Sequence, residues 1–204
     1  MDDPTLAAAT QHIQAGDLEA AADVLRQAVA AGPGASEDSR GRYFTHVMNL
    51  GDLLVYLEHY EEAERVLRAG LQGRADLYGR DHPGYAYGLE PLAEALLRAG
   101  QAKQALPLAE QATEIFWNHT HERTPELMAF RAYVRLAVDE DANAFQDMEA
   151  MPDDLVDVAI ATTMTRAERD RVLGPRVLAA LLRWMDHHER GATKRAEVEG
   201  ALDG

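Results

Sequence analysis

The side chains able to do chemistry in this chain are few and poorly grouped. Eight histidines are present, and "HTHE", His119 to Glu122, sets two imidazoles and a carboxylate close together. Those are donor types that zinc accepts. The stretch reads as a loop between helical segments, however, and no third, distant ligand is implied. His187-His188-Glu189 puts adjacent histidines on different faces of a helix, poor geometry for one ion. The only serines, Ser36 and Ser39, stand in "GPGASEDSRG", which reads as an inter-helix loop. No Gly-x-Ser-x-Gly elbow, Gly-Lys phosphate loop or Gly-x-Gly-x-x-Gly turn occurs. With no cysteine there is neither a thiolate nucleophile nor a disulfide. The expectation is a chain with no metal, no cofactor and no catalysis.

What remains is a surface able to bind. The chain carries 35 acidic and 20 basic residues for a net charge of −15, and only Lys103 and Lys194 among its cations are lysines. Such a surface repels phosphates, so nucleic acid is not an expected partner. It suits a basic partner, or it simply keeps the protein soluble. Apolar residues make up 47% and charged residues 27%, a globular rather than disordered composition. Met1-Asp2-Asp3-Pro4 has neither a basic nor an apolar leader character, and no apolar stretch approaches the ~20 residues of a membrane span. A soluble, cytoplasmic protein with no membrane contact is expected.

The elements that must present this surface are helices repeated at a fixed interval. Ala21, Ala63 and Ala105 fall in register at a spacing of 42, as do Val24, Val66 and Leu108, and Ala28, Gly70 and Ala112. Leu50 aligns with Leu92, and Leu54 with Leu96. Small residues are needed where two helices cross closely. Each unit is therefore an antiparallel pair. Helix A is predicted at about 42–57 and helix B at 60–78 in the second unit, then 84–99 and 102–118 in the third. Gly100 supplies a left-handed helix stop, and Asp81-His82-Pro83 opens the next unit, since proline suits a first helical position.

This pattern resembles tetratricopeptide repeats, and the spacing with "LYGRDHP" is similar to their kinesin-light-chain-like subclass. Leu77, Gly79, Asp81, His82, Pro83 and Ala86 carry the likeness in one linker. "VMNLGDLLVYLEHYEEAERVLRAGL", Val47 to Leu71, carries it over a whole helix pair. Pro107 fits too, two residues after the helix B alanine. The likeness is fullest over about Tyr43 to Trp117. The first unit keeps helix B, and a fourth begins at Thr124-Pro125 with helix A at about 126–138. The resemblance implies an all-α, right-handed α-solenoid of antiparallel helix pairs.

It also implies a function: a protein–protein interaction module, adaptor or scaffold, that takes a peptide or partner segment in a groove lined by the A helices. In that geometry the second unit presents Thr45, Met48, Asn49, Asp52, Val55 and Tyr56. The third presents Tyr87, Glu90, Pro91, Glu94, Leu97 and Arg98, and the fourth Ala129, Ala132, Tyr133 and Leu136. Asn49 matches an asparagine that holds a bound peptide's backbone in the subclass, because an amide both donates and accepts. Tyr56, Tyr87 and Tyr133 are candidate anchors, since tyrosine gives large contact area at low entropic cost. Glu90-Pro91 departs from the pattern and makes the pocket more acidic. The binding set is thus Asn49, Asp52, Tyr56, Tyr87, Glu90, Glu94, Arg98 and Tyr133, for a protein or peptide partner. The alternative is an acidic inhibitor or immunity-type protein that covers a basic partner surface.

From about Asp141 the register is lost, which divides the chain into a repeat array at 1–140, of three to four units, and a C-terminal helical capping segment at 141–204. Thr165 to Glu168 reads as a capping box at a helix start. Gly174-Pro175 should kink or split a helix. Leu178, Leu181, Leu182 and Met185 form an apolar stripe that either caps the last repeat, which needs a cover, or forms a homodimer seam. The polar tail from Gly191 is expected to fray.

Overall fold

The computed structural model of the protein describes residues 3–138, 140–151, 153–169, 173–186, 188 and 194–203, and among them there is no strand. The chain forms two compact units, 1–100 and 101–204. The first holds α1 (Pro4–Gln14), α2 (Leu18–Ala30), α3 (Glu37–Tyr56), α4 (Tyr60–Tyr78), α5 (Pro83–Ala86) and α6 (Leu89–Arg98). Consecutive helices pack, α1 on α2, α2 on α3 and α3 on α4, and α6 then lies against both α3 and α4.

The aligned small residues mark close crossings. Ala63 is fully buried, and a Cβ added at Gly70 would stand 2.5 Å from Val47 Cγ1. The A-to-B turns share one backbone device. Gly16 and Gly100 hold φ of +78° and +74°, and Glu58, at the same register position, is forced to +62°. A left-handed residue ends each A helix there.

Two expectations about helix ends are corrected. The Ser36–Gly41 stretch is not loop: Ser36 is the N-cap of α3, its Oγ accepting the Ser39 amide at 3.1 Å, with Glu37 and Asp38 in the first turn. Cap and carboxylates satisfy the free amides and positive pole of the helix start, so α3 begins well before residue 42. The third helix A is likewise not one helix. It breaks at Tyr87-Gly88 into α5 and α6. Pro91 has no N–H to give the Tyr87 carbonyl, and its ring would collide with that carbonyl in a continuous helix. The Asp81-His82-Pro83 turn caps the short α5, with His82 Nδ1 accepting the Gly84 amide at 2.9 Å.

The second unit holds α7 (Ala102–Asn118), α8 (Thr124–Ala137), α9 (Asp141–Glu149), α10 (Asp153–Arg169), α11 (Gly174–Met185) and α12 (Arg195–Asp203). α8 is its centre, packed by α7, α9, α10 and α11. No helix starts at Thr165: α10 runs through it, and its Oγ1 donates to the Ala161 carbonyl at 3.0 Å. Burial of Ile160, Met164 and Ala167 along one stripe outweighs the local capping signal. A helix does begin at Gly174, as expected of Gly-Pro. Leu178, Leu181 and Met185 are buried and Leu182 half-buried, in a helix that packs on α8, α10 and α12 within the unit. The tail is more ordered than expected. Residues 195–203 form α12, which buries Val198 against this unit, while Gly191 lies outside the described residues.

Candidate functional site

Most of the expected binding residues meet on one face of the first unit, where α3 and α6 pack. On α3, Asn49, Asp52 and Tyr56 follow at intervals of three and four and share one exposed stripe. On the other side, Glu90, Glu94 and Arg98 share one stripe of α6, and Tyr87 precedes them at the helix break. Pro91 therefore does positional work, since the break it forces carries Tyr87 outside the regular helix.

The face is electrostatically loaded. Asp52 keeps accessible surface, yet it is sunk among surrounding protein. That desolvation, then the like charges of Glu94 and Glu90, pushes its pKa up to about 6. Arg98 neutralises part of the set, its Nε donating to Glu94 Oε1 at 2.9 Å in a half-buried pair. Asn49 spends one amide proton on its own helix, Nδ2 donating to the Thr45 carbonyl at 2.8 Å. Tyr56 is 74% exposed. Chemically the face offers carboxylates, one arginine and two tyrosines, a lining that attracts cationic side chains and gives aromatic surface beside them.

Other expected residues are placed elsewhere. Leu97 is buried in the core of the first unit. Tyr133 is 1% exposed and belongs to the core of the second unit, together with Ala129, Ala132 and Leu136. α10 and α11 pack on α8, so its inner face is core and not groove. The register alone could not show that cover, because α10 and α11 lie outside it.

The histidine clusters serve structure. His119 Nδ1 bonds the Ile115 carbonyl at 2.8 Å, and His121 stacks on Phe116 with centroids 4.2 Å apart. His188 stacks on Trp184, while His187 and Glu189 lie outside the described residues. Among the described residues no group of three or more His, Cys, Asp or Glu is placed to hold a metal ion, and no described helix is long and apolar enough to cross a membrane.

One residue that positions this face was missed by sequence reasoning. Arg74 of α4 is buried, donating through Nη1 to the Gly84 carbonyl at 2.8 Å and through Nη2 to Met48 Sδ at 3.3 Å, over the Phe44 ring. It ties α3, α4 and the turn before Tyr87 together. The signal was present: in the repeat register, Arg74 stands where the third unit has the buried Phe116.

Comparison with known proteins agrees with this geometry. A family model described as "Tetratricopeptide repeat" matches residues 43–116. Over residues 43–116 the chain therefore carries tetratricopeptide repeats. Among solved structures, that of a putative kinesin light chain with nearly identical TPR-like repeats from Podosopora anserina aligns at TM-score 0.63 and 21% identity, covering 100% of this chain and 94% of that one. A singly substituted form of that same protein aligns at TM-score 0.64 and 20% identity, with the same coverage. A tetratricopeptide repeat protein from Parabacteroides merdae aligns at TM-score 0.55 and 15% identity, over 98% of this chain and 72% of that one. At such identities these likenesses carry the fold alone. No curated protein matches this chain by sequence. Repeats of this family are generally protein–protein interaction modules, and the fold is typically non-enzymatic.

Proposed function

We propose that this chain is an adaptor or scaffold that takes a basic peptide or partner segment on the α3–α6 face of its first unit. The observation that carries this reading is the convergence of Asp52, Glu90 and Glu94 from two helices, with Asp52 held near a pKa of 6. An evolved fold carries such like-charge crowding at a cost to its own stability, and a cationic ligand would relieve it. Tyr56 and Tyr87 flank the carboxylates as aromatic anchors. Asn49 orients the segment's backbone, and Arg98, paired with Glu94, sets the geometry of the acidic centre.

The test is a pull-down from native lysate with wild-type protein, an Asn49→Ala/Tyr87→Ala variant and a Glu90→Gln/Glu94→Gln variant, eluted in rising salt. A partner lost from both variants supports the reading. Its retention should also weaken between pH 7.5 and 5.5, as Asp52 takes up a proton beside Glu90, Glu94 and the Glu94–Arg98 pair. A partner indifferent to both variants but shed early by salt would move the activity to the acidic surface at large. That outcome would favour a protein that covers a basic partner by charge.

A further inference from the structure

The second unit carries another surface that the repeat pattern does not account for. Helix B runs 19 residues in α4 and 17 in α7, but in the fourth unit its counterpart α9 ends after nine. Past that end lies a cleft of about 510 Å³ between α7 and α8, with Ala150 at the stop of α9 on its rim. Trp117, 61% exposed, and Glu114 line it from α7, and Met128, Arg131 and Arg135 line it from α8.

Its charges are unequal. Arg131 grips Asp147 through two bonds, Nε to Oδ2 at 3.0 Å and Nη2 to Oδ1 at 2.6 Å. Arg135 shares Asp147 Oδ2 at 2.9 Å and gives its other amino group to Glu110 at 2.8 Å. Both guanidinium charges are thereby answered within the unit. Glu114 is exposed and forms no ion pair among the described residues. The open wall is therefore an aromatic face with a carboxylate one turn away and a flexible methionine opposite. That combination suits a lysine or arginine laid over the indole, with its charge answered by the carboxylate and an apolar neighbour on the methionine.

We propose that this cleft receives a basic amphipathic helix of a partner protein, which lies where the missing length of helix B would run. The surface belongs to the other unit and does not rest on the α3–α6 face being a binding site.

The probe is an alanine-based amphipathic peptide of about 18 residues, long enough to hold some helix alone, with lysines flanking a leucine stripe. A partner peptide with glutamates in place of the lysines is the control. Binding is read by anisotropy of the labelled peptides, and by the emission of Trp117, since Trp184 is buried. The lysine peptide should bind wild type and shift the tryptophan emission, while the glutamate peptide should bind at least about fivefold more weakly. Trp117→Ala should weaken the lysine peptide about fivefold, and Glu114→Lys should do so by more and reverse the preference. Both residues are exposed, and unchanged circular dichroism confirms that the variants fold. The inference is overturned if the two peptides bind alike, or if neither variant alters binding. Absence of binding up to about 1 mM, an affinity too weak to matter, overturns it too. So does loss of binding only in Glu90→Gln/Glu94→Gln, which would locate the peptide in the first unit. Self-association of the protein that Trp117→Ala abolishes would assign the cleft to a second copy instead.

Discussion

Replacing Arg74 by alanine is the sharpest test of how the first unit holds its α3–α6 face. The guanidinium donates to the Gly84 carbonyl at 2.8 Å and sits 4.7 Å from the centroid of the Phe44 ring. A hydrogen bond from a charged donor contributes about 1.5–3 kcal/mol, and a cation over a ring about 0.5–1 kcal/mol. Against these stands the burial of the charge, which lowers the Arg74 pKa and offsets part of the gain. Removing the side chain also opens a void under the α5 turn. The net loss on Arg74→Ala should be about 2–3 kcal/mol, or a fall in Tm of roughly 4–12 °C. Arg74→Met, which keeps volume but no donor, should lose about half as much. Urea denaturation followed by circular dichroism measures the stability, and hydrogen exchange at the Tyr85 to Gly88 amides reports the turn itself. Those amides should exchange faster in the alanine variant, since the turn loses its tether to α4. An alanine variant within ~0.5 kcal/mol of wild type, the range of an ordinary surface change, and with unchanged exchange, would refute the reasoning.

Other outcomes follow from single contacts. Glu58→Gly should stabilise the first unit by about 0.5–1 kcal/mol, because it removes a left-handed strain that glycine does not feel; thermal melts would show it. Gly174→Ala should cost about 1–3 kcal/mol in the second unit, since the new Cβ would overlap the Ala167 carbonyl oxygen, and a wild-type melting curve would contradict this. Asp147→Ala removes the carboxylate that Arg131 and Arg135 share and should destabilise by about 3–5 kcal/mol, read by urea titration. Asp3 caps α1 and meets His46 at 2.9 Å. Burial would raise its pKa, but bonds from the Leu6 amide, His46 and the Thr5 amide outweigh burial and lower it. Its contribution is therefore present above the ordinary aspartate pKa and lost as pH falls through the depressed folded value. Asp3→Ala should cost about 1 kcal/mol at pH 7, and the gap to wild type should close below about pH 4.

Much of the fold could be read without coordinates. The 42-residue register placed α4 and α7 at the bounds the structure has, because small residues at crossings and leucines at every third or fourth position leave few other ways to bury the chain. Gly100 as a left-handed stop and Pro83 as a first helical residue are local backbone chemistry, set by the residue itself. So was the stripe of Asn49, Asp52 and Tyr56, since helical periodicity alone puts them on one face. Tertiary structure decided what stands opposite. Asp52 owes its raised pKa to protein that surrounds it and to Glu90 and Glu94, which lie a whole helix pair further along the chain. Tyr133 shows the converse: its helix position promised a groove, but α10 and α11 bury it, and neither belongs to the repeat. Thr165 likewise carries a capping signal that burial along α10 overrides. Local chemistry writes periodicity, caps and turns into adjacent residues. Burial, charge crowding and cover depend on distant segments that come together only when the chain has folded, and those decide which surface is left open to bind.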